Sequence, residues 1–64
     1  MVNVGDKVLI LKMVGEDRYN GKVGIVEFID DMGQLHGTWG FCAIIPNLDA
    51  FVILNTSDSI TKNS

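Results

Sequence analysis

Five short runs rich in β-branched and aromatic residues follow one another along this chain, and no stretch carries the 3.6-residue apolar period of a helix. That pattern constrains the fold more than any single residue does. In the first run, Gly5 to Met13, Val8, Ile10 and Lys12 alternate with Leu9, Leu11 and Met13; both faces are apolar, which predicts a largely covered strand. "VGEDRYNG", Val14 to Gly21, breaks every period and reads as a long loop. The second predicted strand is Lys22 to Asp31, with a bulge or sharp bend expected at Gly24. "QLHGTW" is the third, with Leu35, Gly37 and Trp39 on one side and Gln34, His36 and Thr38 on the other. Gly40 allows a tight turn into "FCAII", Pro46 to Ala50 reads as a turn or one loop of 3-10 helix, and "FVIL", Phe51 to Leu54, closes the sheet.

Five strands need somewhere to hide their edges. A chain of 64 residues buries only about 60% of its unfolded surface and makes one domain at most. Closure into a small barrel removes the edges. The order is long loop, bent strand, two hairpins, short 3-10 turn and last strand, which is the layout of an SH3-like barrel. Residues 1–54 are therefore expected to form an all-β, five-stranded SH3-like barrel, with Trp39, Phe28, Phe41 and Phe51 in its core. Residues 55–64, "NTSDSITKNS", are expected to be a flexible polar tail. There are no internal repeats. The longest apolar runs fall far short of the roughly 20 residues that span a bilayer. The N-terminal "MVNVGDK" carries no signal-peptide pattern, so a cytoplasmic location is expected and "NTS" is read as a chance glycosylation pattern.

The residue types exclude more chemistry than they suggest. "DDMG", Asp30 to Gly33, lies between two apolar strands. A calcium loop needs further oxygen ligands at alternating positions and a distal Glu, whereas Gln34, Leu35 and His36 follow here. Hairpin-turn chemistry fits instead, with an aspartate capping backbone N–H groups and Gly33 supplying positive φ. "GEDRYNGKV" fails as a phosphate loop: its spacing is one residue long, Val23 stands for the Ser or Thr, and a strand follows. One His and one Cys fall short of a zinc set, and His36 is expected to be an exposed strand residue. Cys42, between Phe41 and Ala43, reads as a small buried hydrophobe. No catalytic residue, metal or cofactor is expected.

"GDKV", "GKVGIV", "IDDMGQLHGTW" and "IIPNLDAF" occur in that order. Their order and spacing resemble a family of short proteins of phages and mobile elements of Gram-positive bacteria. The residues that carry the resemblance are Gly5, Asp6, Val8, Gly21, Gly24, Val26, Asp30, Asp31, Gly33 to His36, Trp39, Ile45, Pro46, Asp49 and Phe51. Gly37 departs from it, standing where that family usually has a β-branched residue, and the segment between Trp39 and Pro46 is a few residues short. The family has no established activity, so the resemblance implies a fold and a phage-type origin.

The net charge is −3, and the bases Lys7, Lys12, Arg18 and Lys22 are never adjacent. Duplex binding relies on clustered Lys and Arg, so a basic protein partner is electrostatically favoured over DNA or RNA. The expected function is a small non-catalytic protein-binding module, in a phage context a host-takeover or anti-defence protein that inhibits a host factor. The alternative is an SH3-like nucleic-acid or nucleotide-binding domain. Candidate contact residues are Glu16, Asp17 and Tyr19 of the long loop, with Asp30, Asp31 and Trp39. Leu9, Leu11, Ile44, Ile53 and Leu54 are expected to leave an apolar patch outside, which predicts a homodimer or a surface waiting for a host protein.

Overall fold

The structure is a computed structural model that describes residues 2–54; the expected tail lies outside the described residues. It is all-β. The strands are β1 (Lys7–Lys12), β2 (Val23–Ile29), β3 (Leu35–Gly37), β4 (Gly40–Ile44) and β5 (Ala50–Ile53), and every pairing is antiparallel. They form one sheet in the order β4-β3-β2-β1-β5. β2 is shared: Val23 to Ile25 pair with β1, and Val26 to Ile29 pair with β3. The strand thus joins a three-stranded half, β2-β1-β5, to another, β2-β3-β4. This is the small barrel-like arrangement that the strand order predicts.

Val8, Ile10, Met13, Tyr19, Val26, Leu35, Trp39 and Ile44 make the core, with Val2, Ile29, Cys42 and Phe51 packed against it. Two bulges decide which side chains reach it. In β1 the register with β5 shifts between Ile10 and Lys12. Leu11 and Lys12 are both exposed, and Met13 is buried in the place that strict alternation reserves for Lys12. In β2 the register with β3 shifts between Val26 and Phe28. Glu27 and Phe28 both face out, and Ile29 turns back in.

The structure corrects several expectations. Phe28 is exposed because the extra residue turns it off the interior, and Phe41 is exposed because only one face of the edge strand β4 is covered. β1 is not covered on both sides, since Leu11 faces solvent. Ile44 is fully buried opposite Leu35, so it leaves the proposed surface patch. Gly24 marks no bulge. It pairs regularly with Val8, and a Cβ there would meet Thr38 Oγ1 at 2.9 Å and the Trp39 ring at 3.0 Å. The 3-10 helix lies in the first loop, at Asp17–Tyr19. The segment after Ile45 is a single turn, in which the amides of Leu48 and Asp49 donate to the Ile45 carbonyl.

Asp49 holds that turn to the rest of the barrel. Its buried carboxylate accepts from Val14 N at 2.9 Å and from Ile45 N at 2.8 Å, tying the start of the long loop to the β4–β5 connection. The other end of the loop is fixed by the Asn20 side chain, which accepts from Met13 N at 2.8 Å.

Candidate functional site

"DDMG" is a turn with a built cap. Asp30 Oδ1 accepts from the backbone N–H groups of Met32 and Gln34, both at 2.9 Å, and the Gly33 amide donates to the Asp30 carbonyl. Gly33 takes φ +80°, as a turn of this kind requires. The second oxygen, Oδ2, lies 2.9 Å from His36 Nε2. A carboxylate only accepts, so Nε2 carries the proton. The hydrogen bond from His36, followed by those from Gln34 and Met32, holds the Asp30 carboxyl below its ordinary value. His36 is therefore half-buried and oriented, where free exposure was expected. Asp31 faces solvent.

His36 in turn braces Phe28. The two are cross-strand partners, with ring centroids 5.5 Å apart and planes tilted by 45°. Phe28 nevertheless remains 57% exposed, Met32 at the tip of the turn is 80% exposed, and Phe41 on the neighbouring β4 is fully exposed. The outer surface of β2-β3-β4 thus displays two phenylalanines and a methionine, with exposed Glu27 and Asp31 beside them.

Trp39 lies in the core, as expected, and is 5% exposed, so its second reading as a contact residue falls away; Tyr19, expected on the contact loop, is also core, 6% exposed. The Trp39 indole N–H donates to the Cys42 carbonyl at 2.7 Å. A Cβ on Gly37 would overlap the Ile25 carbonyl and the Trp39 ring, so the ring occupies the space that a side chain at 37 would need. The Tyr19 ring packs in the same way against Gly40. Burial took both rings because glycines made room for them, and the sequence signal for it was Gly37 and Gly40 flanking Trp39.

The loop charges pair among themselves. Lys12 Nζ meets Asp17 Oδ1 at 2.6 Å and depresses that carboxyl, chiefly through the hydrogen bond. Arg18 approaches Glu16 at 3.4 Å and lies 5.2 Å from the centre of the Tyr19 ring. Its guanidinium is raised above its ordinary value, first by its electrostatic interaction with Tyr19 and then by the nearby Glu16. Glu16 and Asp17 therefore serve local pairs. Among the described residues no group of three or more His, Cys, Asp or Glu side chains is placed to hold a metal, and no helix is long and apolar enough to cross a membrane.

The outer surface of β2-β1-β5 is aliphatic. Register places Val23, Leu9 and Val52 in one row across the three strands, with Ile25 beside Lys7 in the next. Leu11, Val23, Ile25, Val52 and Leu54 are exposed, and Leu9 is half-buried. Of the expected self-association residues, Leu9, Leu11 and Leu54 lie on or beside this surface. Ile53 is exposed at the open edge of β5, paired with the inward-facing Val8. No family model, curated protein or solved structure matches the chain.

Proposed function

We propose that this chain is a small non-catalytic protein-binding module whose contact surface is the outer face of β2-β3-β4. The exposure of Phe28, Met32 and Phe41 together carries the reading. Aromatic side chains and methionine are the residues that interface cores favour. Here Phe28 is braced by His36, and His36 is held by Asp30, so part of the surface is ordered before a partner arrives. Glu27 and Asp31 beside the patch, with the net charge of −3, favour a partner whose apolar site has a basic rim. The resemblance to phage and mobile-element proteins supports extending the proposal to a host factor, inhibited by occupation of its surface.

The test is affinity capture from host cells with the native chain and with a Phe28→Ser/Phe41→Ser double variant. A partner retained by the first and lost by the second, with the fold intact by circular dichroism, is the expected result. Identical captured proteins from both would remove this face from the function.

A further inference from the structure

Among the described residues β5 is an open edge that carries no charge, proline or bulge over Phe51 to Leu54. It pairs with β1 alone among the described strands. Proteins blunt such edges with charges, proline or bulges, yet residues 50–54 read Ala-Phe-Val-Ile-Leu. The ladder is regular over Phe51 to Ile53, and the one register shift lies beyond, toward Lys12. The opposite edge, β4, is a poorer template: its register with β3 is broken between Leu35 and Gly37, and the Tyr19 ring sits against its first residue, Gly40.

The ladder also fixes which backbone groups face outward. Leu54 N donates to the Lys7 carbonyl at 2.7 Å, and Leu9 opposes Val52. Ile10 N donates to Lys22 and its carbonyl accepts from Gly21, so Ile10 is bonded toward β2. In an antiparallel pair a residue's N–H and C=O point to the same side and alternate along the strand. Residues 52 and 54 therefore bond β1, and the N–H and C=O groups of Phe51 and Ile53 point to the open edge.

We propose that β5 pairs antiparallel with β5 of a second copy of this chain about a two-fold axis at Val52, with Phe51 of each copy opposite Ile53 of the other. This register uses all four outward groups of each strand within the apolar segment 50–54. Pairing Phe51 with its own copy would instead bring the buried, doubly bonded Asp49 into the ladder. The side chains agree with it. Val52 of each copy meets Val52 of the other, so the row Val23–Leu9–Val52 continues unbroken through six strands. Leu54 comes to lie opposite Ala50, the smallest residue of β5. An edge joined to itself about a two-fold closes and leaves no further edge to propagate from β5.

Light scattering and amide hydrogen exchange on the full chain, from 1 μM to 1 mM, test this. The expected mass rises from near 7.0 kDa to about twice that with concentration, and the Phe51 and Ile53 amides become protected in step. Val52→Lys sets two like charges face to face at the axis; it should remain monomeric and lose that protection while keeping its circular dichroism. Val23→Lys, at the far end of the row, should still dimerise. A monomer at 1 mM overturns the proposal. So does a dimer with unprotected Phe51 and Ile53 amides, which would put the contact elsewhere. Protection in a monomer also overturns it, assigning the edge to the chain's own residues 55–64.

Discussion

Four of the five aromatic side chains of this protein divide between two regions, and Phe51 packs against the core apart from both. Around the β3–β4 turn, Trp39 and Tyr19 are buried, and the glycines at 24, 37 and 40 vacate the space their rings fill. On the outer surface of β2-β3-β4, Phe28 and Phe41 stand exposed, the first turned out by a bulge and the second by the edge position of its strand. Hydrophobicity does not separate the two sets. Trp39 and Phe41 differ in what the backbone around them allows: missing Cβ atoms admit the indole, while strand alternation turns the phenyl outward. The interior of so short a chain is filled by a few rings, and the remaining apolar side chains are left for other surfaces.

The sharpest way to break this contrast is Trp39→Ala. Removing the indole and its bond to the Cys42 carbonyl should cost roughly 3–5 kcal/mol, enough to unfold most of a domain of this size. A variant that melts like the parent would mean the ring is not core. Gly37→Val tests the same packing from the other side. Its Cβ would overlap both the Trp39 ring and the Ile25 carbonyl. A loss of about 3 kcal/mol is expected, at the upper end for overpacking; an unchanged denaturation midpoint would show that the indole can move aside.

Asp49→Ala should cost about 1–3 kcal/mol, because the part-buried amides of Val14 and Ile45 lose their acceptor. Faster hydrogen exchange at those two amides would locate the effect, and unchanged exchange would refute it.

Acid gives a smaller change. The Asp30 carboxyl titrates below its ordinary 3.8 in the folded chain, so the unfolded chain takes up the proton first. The stabilisation from Asp30 is complete above about pH 4 and is lost as pH falls through the depressed folded value. Asp30→Asn should flatten that part of the stability–pH curve, and a curve of the same steepness would assign it to other carboxylates. The least effect belongs to Phe41→Ala, expected within about 0.5 kcal/mol. A larger loss by chemical denaturation would return Phe41 to the core.

Local chemistry was the legible part. The strand order, the long loop and the Asp30–Gly33 turn each follow from neighbouring residues, because turns and alternation are short-range properties. What sequence periodicity hid were the bulges at Leu11–Lys12 and Glu27–Phe28: one inserted residue reverses which side chain faces inward, and nothing in composition marks it. Asp49 was equally hidden. Its place in the β4–β5 turn reads as turn punctuation, but one of its two bonds goes to Val14, 35 residues earlier in the chain. The contact residues suffered from the same blindness. Tyr19 reads as an exposed loop aromatic, and its close approach to the distant Gly40 buries it.

The pairing of β1 with β5 has a kinetic meaning. Val8 meets Ile53, near opposite ends of the described chain, whereas β2, β3 and β4 are joined by tight hairpins. Local hairpins form in microseconds, but a ladder between distant segments must first overcome the entropy of closing the long intervening loop. Topologies dominated by such pairings fold in milliseconds to seconds. The β2-β3-β4 meander is therefore expected to assemble while β1 still waits for β5, and docking of the last strand becomes the slow, committing step in reaching the native state.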